Sequence, residues 1–223
     1  MVRADLARGA TVNDLVLTAV TGALHTLLAS RGEDVPTVVV SVPISGRAAT
    51  TASRLGNEVG VMIVALPTAG EPLTRLTRIA AITRVHRAGA RGASAPLVGI
   101  ALRAIAALGA LRWFIDHQRQ VTTFVTDLRG PAERLMFAGA SVDDVIALST
   151  ASGNVTVAFA AFSYAGAITV TVVADPDRCP DLSVLTAALG AELDALTGRC
   201  SPLRPLRPLR PLWLWAVPDS GPR

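Results

Sequence analysis

Asn13 and Asp14 pair an amide with a carboxylate at the head of Val12 to about Ala29, a stretch otherwise suited to a core helix. On helical spacing, Val16, Leu17, Val20, Ala23, Leu24, Leu27 and Leu28 share one apolar face, with Asn13 near its middle. Asp14 falls off that face, beside Thr18, Thr21 and His25. A polar group on a buried stripe costs roughly 1–3 kcal/mol unless it is hydrogen-bonded, so Asn13 should have a dedicated partner or line a cavity. Asp14 has a structural reading as well, as the third residue of a capping box opened by Thr11. A stripe of arginines, Arg84, Arg87 and Arg91, could fork a phosphate, or could simply be the solvated basic end of a helix.

Other chemistries lack their signatures. There is no Gly-x-Gly-x-x-Gly, Walker loop, Gly-x-Ser-x-Gly elbow or His-Glu-x-x-His. His25 is expected on the polar, solvated side of its helix, and His86 sits among arginines near a helix end. His117 follows Asp116, but adjacent helical residues face different ways. Cys179 and Cys200 make no disulfide framework, and no Cys/His spacing suggests zinc or another metal.

The chain has 223 residues, of which 51% are hydrophobic, enough for one good core. All 21 basic residues are arginine. Residues 199–223 hold five of them against Asp219, so the tail carries the whole net charge of +4 and the body is neutral. That argues against a nucleic-acid-binding domain. Residues 1–14 lack the apolar centre of a signal peptide, so a cytoplasmic location is expected.

The elements that must position these residues follow from periodicity and punctuation. Thr11 caps a helix over 12–29 that Gly32 ends. Thr37 to Val42 reads as a strand closed by Pro43, followed by a polar loop over 44–57 and a strand over 58–66. Pro72 opens a helix to about Ala88, and Pro96 another to about His117. Strands are expected at 121–126, 134–138 and 142–148, with a hairpin over 154–173 interrupted at Ser163-Tyr164-Ala165-Gly166. A helix over 181–196 closes a domain of residues 1–198. The tail, 199–223, repeats Pro-Leu-Arg three times before Trp213 and Trp215. It reads either as a disordered end or as an anchor at a membrane surface or lipid droplet.

Ala10-Thr11-Val12-Asn13-Asp14, Val42-Pro43-Ile44-Ser45-Gly46-Arg47, Leu55-Gly56-Asn57 and Ser163-Tyr164-Ala165-Gly166 stand in order, with strands ending at Leu66-Pro67 and Ala174-Asp175. Together they resemble the C-terminal half of the bacterial wax ester synthase/diacylglycerol acyltransferase (WS/DGAT) family, over about residues 9–197. The resemblance implies an α/β fold, a mixed sheet covered by helices, similar to the C-terminal lobe of the two-lobed chloramphenicol-acetyltransferase-like proteins. It also implies O-acyl transfer from acyl-CoA to diacylglycerol or a long-chain alcohol, in triacylglycerol or wax ester synthesis. Acyl-CoA is a co-substrate there, and no bound cofactor is implied.

The family's catalytic base lies in a His-His-x-x-x-Asp-Gly motif of the N-terminal lobe, which deprotonates the acceptor hydroxyl. This chain has neither a His-His pair nor an Asp-Gly dipeptide, so no catalytic residue is expected in it and an N-terminal lobe is its expected partner. The resemblance makes Asn13 and Asp14 substrate-channel candidates. It does the same for Thr126, Asp127, Gly130 and Pro131, where the family's Ser-Asn-Val-Pro-Gly-Pro appears as Thr126-Asp127-Leu128-Arg129-Gly130-Pro131. Asp127 replaces a donor-and-acceptor amide by an acceptor-only charge, with Arg129 as a potential partner. The arginine stripe becomes a candidate contact for the phosphates of coenzyme A. A lobe made separately from its partner should expose an apolar face. The alternative from a different class is a non-catalytic interaction or lipid-binding module that kept the fold.

Overall fold

The computed structural model describes residues 9–45, 59–90, 107, 109, 113, 116–151 and 153–198. The described elements include helices α1 (Val12–Ser30), α2 (Pro72–Ala90) and α3 (Leu182–Thr197) and strands β1 (Thr37–Ser45), β2 (Val59–Pro67), β3 (Thr123–Arg129), β4 (Met136–Phe137), β5 (Ala140–Ser141), β6 (Val157–Tyr164) and β7 (Ala167–Ala174). Five strands form one sheet in the order β2-β1-β3-β6-β7, and β4 and β5 form a separate hairpin. β1, β3 and β6 run parallel while β2 and β7 are antiparallel to their neighbours. The α/β mixed sheet expected from the sequence is therefore present.

Alternation along the strands decides which face meets the helices. Val38, Val40 and Val42 of β1, Met62, Val64 and Leu66 of β2, and Val157, Phe159 and Ala161 of β6 are buried in one cluster with Val16, Val20 and Leu24 of α1. Val61 and Ile63 of β2 point the other way and are exposed. α1 packs against both α2 and α3, so it is buried nearly all round. Thr18 and Thr21, expected off the apolar face, are buried too, and each donates its hydroxyl to a carbonyl of its own helix, Asp14 and Thr18 respectively.

On the far face, the connection from β3 to β6 covers the β6–β7 half of the sheet. The buried Tyr164 hydroxyl accepts from the Leu135 amide at 2.7 Å and donates to the Val142 carbonyl at 2.8 Å. Thr171 of β7 donates to the Ala147 carbonyl. This traffic explains two departures from the expected strands. Residues 142–148 form no strand, because they cross the sheet face tied by side chains and do not join a ladder. The strand expected over 134–138 shrinks to the two residues of β4, and the one expected over 121–126 lies at Thr123–Arg129.

β1 also continues through Pro43 to Ser45 where Pro43 was expected to stop it. Its pairing with β3 extends only over Val40 and Ser41, so beyond them one side of β1 is released from the ladder and tolerates a proline. The helix expected over 96–117 falls largely outside the described residues, although Asp116 and His117 are helical. The 44–57 loop beyond Ser45, and the tail over 199–223, also lie outside the described residues.

The turn expected around Ser163–Gly166 narrows to two residues. Ala165 and Gly166 have φ of 47° and 80°, the paired positive values of a type I′ hairpin turn. Ala138 and Gly139, at 50° and 81°, make the same turn between β4 and β5.

Candidate functional site

The split in the sheet is the feature around which the candidate residues gather. β1 and β3 pair only at Val40–Thr123 and Ser41–Phe124. Beyond that point β1 stays with β2 as far as Ser45–Val59, and β3 stays with β6 as far as Arg129–Ser163. Two parallel strands thus part at their carboxyl ends, where ligands of open α/β sheets characteristically bind.

The N-terminus of α1 comes to this end of the sheet. Thr11 and Asp14 form the capping box expected from the sequence: the Thr11 amide and hydroxyl both donate to Asp14 Oδ2 at 2.8 Å, and the Asp14 amide donates to Thr11 Oγ1 at 3.3 Å. The other carboxylate oxygen reaches α2. Asp14 Oδ1 accepts from Thr83 Oγ1 at 2.6 Å and from Arg87 Nη2 at 2.8 Å. Arg87 also donates to Thr11 Oγ1 at 3.1 Å. Asp14 is only 1% exposed, so the burial expected of the pair is inverted: Asp14 is enclosed and Asn13 is half-buried. The reason is α2, which covers the side of α1 that an amphipathic reading leaves to solvent.

Asn13 nonetheless keeps the anomaly the sequence pointed to. Its Oδ1 is buried and has no hydrogen-bond partner among the described residues. Of the two expectations, a dedicated partner or a cavity lining, the first is not met among the described residues, and an acceptor is left available. His25, expected to be solvated, is half-buried, and its Nδ1 is also buried with no partner among the described residues. His117 is positioned through Trp113, with Nδ1 2.9 Å from the Trp113 carbonyl oxygen and the two rings stacked at 5.0 Å.

Thr126 and Asp127 lie on the part of β3 that has left β1. Asp127 is in register with Ala161 and thus shares the helix-facing side with Val125. Burial pushes its carboxyl up from its ordinary value, against the opposing pull of Arg129 and Arg87. Arg87 therefore links the α1 cap and the released end of β3. A raised carboxyl binds its proton more readily in the folded state. Its burial penalty is absent at low pH, where both states are protonated, and appears as pH rises through the folded value. Asp127→Asn should accordingly stabilise the fold at pH 7 and make no difference at about pH 3. Urea titrations at the two pH values test this, and equal effects at both would refute it.

Gly130 and Pro131 act through the backbone. The Gly130 amide donates to the Ser163 carbonyl at 2.8 Å, and the Pro131 carbonyl accepts from the Ala165 amide at 3.1 Å. A Cβ on Gly130 would fall 2.6 Å from the Ser163 carbonyl oxygen and 2.5 Å from the Phe162 ring, so the turn requires glycine. Arg129, Gly130, Pro131, Ala132 and the Ser163–Ile168 turn line a shallow cleft of about 280 Å³. Of the arginine stripe, Arg84 is exposed, Arg87 is committed to Asp14, and Arg91 lies outside the described residues.

The WS/DGAT C-terminal domain model matches residues 55–197. The chain belongs to the WS/DGAT C-terminal domain family. Among solved structures, this WS/DGAT domain is similar to the wax ester synthase/diacylglycerol acyltransferase from Marinobacter aquaeolei VT8, at TM-score 0.65 and 20% identity over 84% of this chain and 43% of that one. It is also similar to PapA2 acyl transferase, at TM-score 0.52 and 16% identity over 86% of this chain and 40% of that one. The starter condensation domain of rhizomide synthetase RzmA gives 0.51 and 15% over 85% and 42%. No curated protein matches by sequence. The WS/DGAT domain thus spans less than half of each of these chains, and its fold is that of one part of the two-lobed chloramphenicol-acetyltransferase-like architecture.

Proposed function

We propose that this chain supplies the C-terminal lobe of an O-acyltransferase that moves a fatty acyl group from acyl-CoA to the hydroxyl of diacylglycerol or a long-chain alcohol. The match of the WS/DGAT C-terminal domain across residues 55–197 carries the reading. Transfer of this kind needs a base for the acceptor hydroxyl and groups that hold the acceptor against the thioester. The chain contains no His-His-x-x-x-Asp-Gly motif, so in this reading the base comes from an N-terminal lobe and the chain is inactive alone. The split between β1 and β3, with Asn13 Oδ1 and Asp127 at its edge, supplies polar contacts to the substrate channel. The protein works in the cytoplasm, at the edge of a membrane or lipid inclusion where its acceptors partition.

Reconstitution tests the reading. The chain is combined with a catalytic lobe bearing the motif, from its own source or from the Marinobacter enzyme, and supplied with labelled palmitoyl-CoA, diacylglycerol and hexadecanol. Labelled product is expected only from the combination. No product with either lobe and either acceptor favours a non-catalytic module that kept the fold.

The same assay addresses coenzyme A. Arg84 is exposed and Arg87 is tied to Asp14, while Arg91 lies outside the described residues. Replacing Arg84 and Arg91 by Ala should raise KM for acyl-CoA with little change in kcat, the pattern of lost uniform binding. An unchanged KM removes them from the phosphate site.

A further inference from the structure

We infer that Asp127 accepts a hydrogen bond from a second hydroxyl on the acyl acceptor and so determines specificity, an inference that rests on the acyltransferase reading above. The favoured acceptor class is a long-chain 1,2-diol or a monoacylglycerol, in which a free hydroxyl stands next to the reacting one. Asp127 lies on the stretch of β3 that has left β1, and it faces the helices with Val125. A structural position on this face takes an apolar residue, as do Val125 and Ala161, the β6 residue in register with Asp127, both fully buried. Asp127 is instead a half-buried carboxyl that no group among the described residues hydrogen-bonds. Such a group costs stability, and one kept at that cost marks a functional position.

The surrounding charges keep the carboxyl available. Arg87 of α2 directs its Nη2 at Asp14 Oδ1 and Thr11 Oγ1, and Arg129, two residues along β3, is exposed. Burial pushes the Asp127 carboxyl up and both arginines draw it back through space, yet neither bonds to it. The other neighbours add no free charge among the described residues: Asp14 of α1 is bonded to Thr11, Thr83 and Arg87, and Ala161 of β6 is uncharged. Asn13 Oδ1 is a second acceptor without a described partner at this end of the sheet. Two open acceptors select a ligand by its donors. The reacting hydroxyl is excluded, because its oxygen bonds to the acyl carbon as the carbon–sulfur bond breaks, and its proton passes to the base. The thioester carbonyl can only accept. A second hydroxyl on the acceptor keeps its proton throughout, and so do the amides of the pantetheine arm. Charge favours the hydroxyl, since a carboxylate opposes a polyanionic coenzyme and carries no such penalty toward a neutral diol.

Two measurements test this. In the first, the full chain carries carbon-13 at aspartate Cγ, the Asp127 signal is assigned by its loss in Asp127→Val, and 1,2-octanediol and 1-octanol are titrated in turn. The diol is expected to shift that signal at about one-tenth the concentration the alcohol needs. In the second, the reconstituted enzyme receives palmitoyl-CoA with 1,2-hexadecanediol or 1-hexadecanol. Here kcat/KM should favour the diol about tenfold. Asp127→Val should abolish the preference and Asp127→Asn, which keeps an acceptor oxygen, should retain most of it, with KM for palmitoyl-CoA unchanged in both. Lowering the pH should weaken the preference of the wild type as the carboxyl protonates, beginning above the ordinary aspartate range, and should not affect that of Asp127→Asn. Equal responses to diol and alcohol overturn the proposal. An Asp127→Val enzyme that keeps the diol preference while its KM for palmitoyl-CoA rises overturns it too, and assigns the carboxylate to a pantetheine amide. Absence of product from both acceptors counts against the acyltransferase reading alone; a diol-selective shift in the titration then still assigns the second hydroxyl to Asp127, and an equal shift removes it.

Discussion

Arg75→Ala should lower the stability of this domain by about 3–5 kcal/mol, the cost of removing one member of a buried ion pair. Arg75 leaves α2 only 2% exposed and serves three elements at once. Its Nη2 pairs with Glu192 of α3, its Nε donates to the Thr18 carbonyl of α1 at 3.4 Å, and its Nη1 donates to the Gly70 carbonyl at 2.6 Å. Gly22 makes room for the pair, since a Cβ there would fall 2.2 Å from Glu192 Oε1 and 2.3 Å from Arg75 Nη2. Removing the guanidinium strands the Glu192 carboxylate against α1 with no countercharge, and leaves a cavity among three packed helices. A domain is stable by only about 5–15 kcal/mol, so the variant should be at or near unfolding under ambient conditions. Urea unfolding of the single variant and of Arg75→Met with Glu192→Met separates charge from packing. The double variant should recover most of the loss, because apolar side chains of similar volume replace a buried pair at little cost. A single variant within about 1 kcal/mol of the wild type would show that the pair does not fasten the helices.

This fastening is invisible in the sequence for a reason that also governs the candidate site. Interactions between residues three or four apart follow from helical geometry alone, and the Thr11–Asp14 capping box could therefore be read directly. The Pro72 helix start and the turn before β7 are similarly local. Arg75 and Glu192 are 117 positions apart, and Thr83 and Asp14 are 69 apart. Only the way α2 lies across α1 brings each pair together. Periodicity assigned Asn13 to the buried stripe and Asp14 to solvent because it describes a helix with one covered face, whereas α1 is covered by the sheet, by α2 and by α3. The stretch 142–148 failed in the same manner. Its Val and Ile residues have strand character, but Tyr164 and Thr171 tie it across the sheet before any neighbouring strand can. The anomaly of Asn13 carries over, since its Oδ1 is buried without a partner among the described residues.

Asp14 and Asn13 should consequently respond to alanine in opposite ways. The Asp14 carboxylate takes four hydrogen bonds, two from Thr11 and one each from Thr83 and Arg87. Asp14→Ala forfeits the cap, leaves the buried Thr83 hydroxyl without this acceptor, and frees an arginine that is 30% exposed and can regain water. The loss should be about 2–4 kcal/mol, below that of Arg75→Ala because Arg87 is the less buried cation. Asn13→Ala removes an acceptor whose buried oxygen is already unpaired, so stability should shift by less than about 1 kcal/mol, with either sign allowed. Activity should rank them the other way once stability is held constant. Assayed in the reconstituted two-lobe enzyme well below either melting transition, Asn13→Ala should lower kcat/KM for acyl transfer at least about tenfold, as expected of a lost polar contact to the reacting substrate. Asp14→Ala should retain activity in proportion to its folded fraction. Calorimetry beside the transfer assay reads both axes for both variants. An Asn13→Ala enzyme that melts early and turns over normally would make Asn13 a structural residue and overturn its proposed contact with substrate.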